Sequence, residues 1–432
     1  MKIALVARHA SAPSHLSDPY SEDQAVQVSG LGRALAAQGH QVVIYSRKDS
    51  ASLPGRKALG PRLSAEYLAA GPPAEVPPDV LPRLAGEFAD ALARSWRRNK
   101  PDVVHAYHWT SVLAALAAAR HVPVPVVASF GSLSAAEQRH RIAGDCSHAR
   151  QRLEPALVKG APAVLATNSD EVAELTRLGA PGARVACVPA GVDLRAFKPG
   201  GFSVRRSKQP RLIAFGPLAE YRGLDVMLRC LTELPGTDLV VAGGPPAGEL
   251  ESDHGYRILA KLAAHLGITE RVQFLGHVAE EKLPALLRSA DLLVSTARYE
   301  PQGSAAIRAM ACGLPVVATS TGAYRDAVID GTSGVLVPSE RPAAIIRHVR
   351  DLLNSPMRLA AYGIAGADRA RSRYPWDRVA AETVAWYERT VSQAPNAPAS
   401  LAAVPAAQAT GTAVVMPVRR RPVLRPAGAD AA

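Results

Sequence analysis

Asp291-Leu292-Leu293-Val294-Ser295-Thr296 and Pro315-Val316-Val317-Ala318-Thr319 bracket the stretch Tyr299-Glu300-Pro301-Gln302-Gly303-Ser304-Ala305-Ala306-Ile307-Arg308-Ala309-Met310-Ala311-Cys312-Gly313, whose reading decides the fold. The two flanking runs are short and apolar, the length of buried strands. Ser304 to Cys312 is rich in Ala, Met and Ile and closes at Gly313, the pattern of a helix with a glycine stop. Strand, loop, helix, strand is one crossover of a parallel sheet, and Glu300 to Gly303 fall in the loop where such sheets bind ligands. Gly303 allows a close backbone approach, and Ser304 is expected to cap the helix. The free N–H groups of the first turn, around Ser304 and Ala305, form an anion site suited to a diphosphate.

Glu300, Pro301, Gly303, Ala309, Met310, Ala311, Cys312, Gly313 and Pro315 together resemble the nucleotide-sugar signature of retaining family-4 glycosyltransferases. That is the GT-B group, with its sucrose-phosphate synthase-like and inositol-phosphate glycosyltransferase-like branches. The resemblance implies two Rossmann-like, doubly wound α/β domains facing a central cleft. Its second acidic position is Arg308 here.

A chain of 432 residues is long enough for two domains, each with its own core. Four cysteines at 146, 187, 230 and 312 contain no CxxC pair, which argues for a reducing cytosol and against a disulfide framework or zinc site. No apolar run is long enough to span a membrane or serve as a signal peptide, so a cytoplasmic location is expected. The net charge of +12 favours an anionic partner: a nucleotide-sugar, an acidic acceptor or, weakly and peripherally, a membrane surface. The basic residues form no recognised nucleic-acid module.

Ile3 to Ala7, Gln24 to Gln38 and Gln41 to Ser46 read as an opening strand–helix–strand unit. The phrase from Ala34 to Val42 resembles the start of a family-4 glycosyltransferase. A variable stretch with Pro72-Pro73 and Pro77-Pro78 reads as loop, and Asp79 to Asn99 as a helix. The expected organisation is a Rossmann-like acceptor domain over 1–197 and a linker over 198–210. A nucleotide-sugar domain follows over 211–375, and a helix over 376–393 returns to the first domain. The Ala-, Pro- and Val-rich stretch 394–432 has no apolar period and reads as a disordered tail.

In the family, the carboxylate matching Glu300 reaches donor-sugar hydroxyls, and Arg222 matches a cation that neutralises the donor diphosphate. These two are the catalytic candidates. The donor-binding candidates are Gly216, Gly243, Gly244, Gly303, Ser304, Ala305 and Arg308, the glycines lying at strand ends. Gly276-His277-Val278 resembles the segment bordering the nucleobase. His105, His108 and Arg150 are the acceptor candidates, with a hydrogen-bonded core role equally open for His105 and a solvated helix face equally open for Arg150.

Four family positions are altered. Pro217 replaces the first diphosphate-binding arginine, and Gly131 replaces a histidine beside the transferred sugar. Glu22 and Asp23 stand where relatives carry two glycines, and Arg308 replaces the second glutamate. From a helix starting near Ser304, Arg308 could carry the missing positive charge to the diphosphate. With no Asp-x-Asp pair, Walker lysine or GxSxG elbow, neither a metal nor a cofactor is expected. The resemblance thus implies a retaining transferase moving a hexosyl group from a nucleotide-diphosphate sugar to a hydroxyl acceptor. The alternative is a catalytically inactive descendant with a binding or regulatory role.

Overall fold

The computed structural model describes residues 1–7, 21–77, 79–142, 148–339 and 341–393, and the side chains of Ser21 and Glu22 are not described. The stretch 394–432, read above as a tail, lies outside the described residues, as does Cys146.

The first half of the chain forms an eight-stranded sheet in the order β3-β4-β2-β1-β5-β6-β7-β8. Its strands are β1 (Lys2–Val6), β2 (Gln41–Arg47), β3 (Arg56–Gly60), β4 (Leu63–Leu68), β5 (Val103–Tyr107), β6 (Val126–Ser129), β7 (Ala163–Ala166) and β8 (Val185–Cys187). All neighbours are parallel except β3, which pairs antiparallel with β4. The variable stretch that leads to Pro72-Pro73, expected as loop, holds both β4 and that edge strand. Every residue of β3 is exposed, so no apolar alternation marks it.

A six-stranded, wholly parallel sheet follows, in the order β11-β10-β9-β12-β13-β14. Its strands are β9 (Arg211–Phe215), β10 (Asp238–Ala242), β11 (Val272–Gly276), β12 (Leu292–Ser295), β13 (Val316–Thr319) and β14 (Gly334–Val337). Both faces of each sheet are covered by apolar clusters, as parallel sheets require. Strand order reverses at β1/β5 and at β9/β12, so each sheet opens a crevice at the carboxyl ends of those strands.

Helix patterning follows the same logic. In the helix Leu81–Arg98, Ala85, Phe88, Leu92 and Trp96 recur at helical spacing and are all buried. Pro82 sits in its first turn, where no intrahelical N–H bond is lost.

Residues 198–210 carry no strand or helix and are tied to the second half by Val204 N–H bonding Ala285 O at 3.1 Å. The chain crosses between the halves twice, and the two crossings touch. Val192 N–H donates to Tyr374 O at 2.9 Å, and Val192 forms a parallel bridge with Pro375. The last helix, Trp376–Gln393, then packs against the first, Ser21–Ala37. The Trp376 ring fills the space beside Gly30 and Gly191, where a Cβ would lie 2.4 Å from it.

Candidate functional site

Glu300 lies within the loop between β12 and the helix Ser304–Ala311, at the switch point of the second sheet. Its side chain is 2% exposed. Oε1 accepts from the backbone N–H of Gly303 at 2.9 Å and of Gln302 at 3.2 Å, while Oε2 accepts from Arg222 Nη1. A carboxylate has about four acceptor positions, and these three donors fill most of them. The two catalytic candidates are therefore brought together as a buried ion pair, and Arg222 reaches the site through Glu300.

The helix Ser304–Ala311 begins at Gly303, which adopts φ +70° as its N-cap. Only a residue without Cβ takes that conformation cheaply. Ser304 is thus the first helical residue and does not cap its own helix. Its Oγ instead donates to Asp23 Oδ1 at 3.0 Å, across to the first helix of the other half. Ser304, Ala305 and Ala306 are all buried.

Arg308 lies one turn along, 7% exposed. Its guanidinium sits 5.8 Å from the Phe197 ring and 5.7 Å from the Phe215 ring, a cation–π placement. Nη1 lies 3.4 Å from Asp23 Oδ1 and Nη2 lies 3.1 Å from Glu280 Oε2. The cation expected to face a diphosphate is thus held by two carboxylates of this chain. Phe197, Phe215 and Glu280 are not among the sequence candidates; Phe215 closes β9 and Phe197 directly precedes the expected linker, and these aromatic ends were the available signals.

The glycines at the strand ends allow the crevice loops to meet. A Cβ on Gly243 would lie 2.1 Å from Gly216 O, and Gly243 holds φ +128°. Gly216 N–H bonds Ala242 O, Gly243 N–H bonds Gly276 O, and Gly244 follows in the same turn. The cavity lined by Gly216, Pro217 and Arg222 measures about 10 Å³, the room of one water.

A wider cleft of about 660 Å³ lies on the other side of Glu300, lined by Gly131, Arg139, His140, Glu171 and Arg325 among others. Burial raises the Glu171 carboxyl above the usual carboxylate range, against hydrogen bonds from Thr167. The Gln302 amide approaches the open face of Gly131, with Nε2 3.8 Å from where a Cβ would stand. The two halves are clamped beside this cleft. Asn168 Nδ2 donates to Pro301 O at 2.6 Å, Thr167 Oγ1 lies 2.9 Å from the same oxygen and shares its proton between it and Glu171, and Asp170 accepts from Gly322 N–H at 3.0 Å.

The three acceptor candidates do not line that cleft. Arg150 is the clearest correction. It is 2% exposed, and Nε and Nη1 each lie 2.9 Å from a carboxylate oxygen, of Glu154 and Glu137 respectively. Nη2 donates to Ser132 O at 3.0 Å. Neither a solvated face nor a free acceptor cation describes it.

His108 is buried at the start of the helix Trp109–His121, its Nδ1 3.0 Å from Thr110 Oγ1. His105 has the core role. Ser129 Oγ gives its proton to Leu165 O at 2.8 Å, so it must accept from His105 Nε2–H at 2.9 Å. Nδ1 is then the acceptor for Tyr387 Oη at 2.7 Å and Tyr107 Oη at 3.0 Å. Burial lowers the His105 pKa to about 3, so the ring is neutral and ties the last helix to the first sheet.

Among the described residues, no group of three or more His, Cys, Asp or Glu side chains could hold a metal ion, and no helix is long and apolar enough to cross a membrane.

Comparison with known proteins agrees with this architecture. Residues 24–196 match the family described as Glycosyltransferase Family 4, and residues 202–369 match Glycosyl transferases group 1. D-inositol 3-phosphate glycosyltransferase 1 of Catenulispora acidiphila is 33% identical over 416 residues, covering 90% of this chain and 98% of the relative. Among solved structures, sucrose-phosphate synthase from Thermosynechococcus elongatus superposes with a TM-score of 0.81 at 22% identity, covering 91% of this chain and 100% of that one. Anabaena HepE in complex with UDP-glucose gives a TM-score of 0.66 at 19% identity, covering 89% and 100%. With a relative above 30% identity that matches nearly its whole length, two consecutive family matches and two doubly wound sheets, the chain belongs to the family-4 glycosyltransferases and has their GT-B fold.

Proposed function

We propose that this glycosyltransferase moves a hexosyl group from a nucleotide-diphosphate sugar to a hydroxyl acceptor with retention of anomeric configuration, without a metal or cofactor, in the cytoplasm. The observation that carries the reading is Glu300, a carboxylate fixed by two backbone N–H groups and Arg222 at the mouth of a buried helix N-terminus. Its remaining acceptor position orients a sugar hydroxyl. The first turn of Ser304–Ala311 and the Arg308 guanidinium face the leaving diphosphate, where negative charge grows as the glycosidic bond breaks.

Relatives named for D-inositol 3-phosphate support a phosphorylated polyol as acceptor, and a neighbour solved with UDP-glucose supports a uridine donor. The arginine-lined cleft beside Glu300 would receive such an acceptor.

The test is release of nucleoside diphosphate from UDP-, GDP- and ADP-glucose in the presence of inositol 3-phosphate. The product anomer is assigned by NMR. Glu300→Gln should lower turnover by about 10²–10³. Inversion at the anomeric carbon would overturn the retaining mechanism. A second reading, a binding or regulatory protein on this frame, rests on the Asp23 carboxylate already bound by Ser304 and Arg308. Release of diphosphate from none of the three donors would favour it.

A further inference from the structure

The first turn of Ser304–Ala311 presents backbone donors that no intrahelical carbonyl can satisfy, and it is buried beneath the other half of the molecule. Glu300 accepts from Gly303 N–H just before that turn, and a second carboxylate lies against the hydroxyl of the turn itself. Asp23 Oδ1 accepts from Ser304 Oγ at 3.0 Å and faces Arg308 Nη1 at 3.4 Å. Arg308 is fixed between Phe197 and Phe215 and braced by Glu280, so it cannot swing away to serve a second anion. Arg222, the other buried cation beside the site, is committed to Glu300, and its Nε has no partner. The adjoining cavity holds about 10 Å³, far below the volume of a diphosphate.

Granting the donor reading proposed above, we propose that Asp23 is a built-in anion occupying the donor's diphosphate seat. It gates that seat from across the domain boundary. The carboxylate takes the contacts that a diphosphate would make, on the hydroxyl of the first helical turn and on Arg308. A donor enters only as Asp23 withdraws, and Asp23 sits on the helix Ser21–Ala37 of the other half of the chain, so separating the halves withdraws it. Opening and donor binding are therefore a single exchange of one anion for another. Selection follows from the same competition, since a ligand must outbid a seated carboxylate and tolerate its negative charge nearby.

Calorimetric titration of the full chain with UDP, GDP and ADP, for wild type and Asp23→Asn at one ionic strength, tests this. Asparagine keeps the size and the Ser304 hydrogen bond but removes the charge. At least one diphosphate should bind Asp23→Asn about tenfold to a hundredfold more tightly than wild type, the worth of one charge-assisted contact. Asp23→Gly, which empties the seat, should show the same direction. In an Arg308→Ala background the gain from Asp23→Asn should shrink, because the carboxylate then has no guanidinium to hold. Equal affinities in wild type and both Asp23 variants, or binding to none of them, would overturn the proposal. Failure of the transferase reading shows differently, as diphosphate binding without turnover, and leaves the comparison of Asp23 variants intact.

Discussion

Arg150→Met removes one guanidinium and strands two carboxylates. Glu137 and Glu154 are each 1% exposed, and Arg150 is the cation that lies 2.9 Å from both. Glu154 keeps two donors, Ser134 N–H at 2.7 Å and Ser134 Oγ at 2.6 Å, and Glu137 keeps Ser132 Oγ. Hydrogen bonds alone do not offset a buried charge, and breaking a buried pair from one side costs about 3–5 kcal/mol. Methionine conserves the aliphatic stem, so little of that loss is cavity.

The pH dependence separates this from ordinary packing loss. Burial already raises the Glu137 pKa in the intact triad, with Arg150 opposing it. Without Arg150 the folded-state Glu137 carboxyl sits further above its unfolded value, so at that residue the native state binds more protons than the unfolded state. Stability of the variant should then rise as pH falls. Urea unfolding followed by circular dichroism should show a deficit of about 3–5 kcal/mol at pH 7 that narrows by pH 5. Adding Glu137→Gln should recover part of it at pH 7. A variant that melts like wild type at pH 7, with only its acceptor KM altered, would refute this and return Arg150 to the acceptor site.

Other expectations follow from single geometric facts. Glu300→Gln should destabilise as well as inactivate, because Arg222 stays buried with a weakened partner, and pairing it with Arg222→Met should restore part of the stability in a urea melt. His105→Asn should flatten the fall in stability between pH 6.5 and about 4. In that window the unfolded chain binds a proton that the buried ring, with its pKa near 3, refuses. The slope difference between wild type and variant should approach 1.4 kcal/mol per pH unit, fading as pH rises through 6.5. Gly243→Ala should cost about 1–3 kcal/mol or more, since its Cβ would overlap Gly216 O and its φ is left for glycine; a wild-type melting curve would contradict that.

The parallel-sheet crossovers and the placement of Glu300 were legible because each is encoded within about twenty neighbouring residues, apolar runs punctuated by Gly303 and Gly313. What escaped reading is what spans the chain. Asp23 and Arg308 are 285 residues apart, and each alone looked like the loss of a family residue. Together they are a complementary pair. Arg150 sits in a visibly basic stretch, but its neutralising Glu137 lies on a different helix, so sequence suggested a cationic face where folding built a buried triad. The edge strand β3 lacked a signal because nothing in it is buried.

The double crossing at Val192 and Pro375 has a topological consequence. A cut anywhere in 198–210 would split the chain into two pieces, yet the second piece would still carry the last helix, whose Tyr387 is hydrogen-bonded to His105 of the first. The two pieces would then be held only by noncovalent contacts of that helix and of the boundary between the halves, so their association would depend on how dilute the protein is. A nicked chain therefore behaves as a bimolecular complex, in which the last helix is the strap by which one piece grips the other.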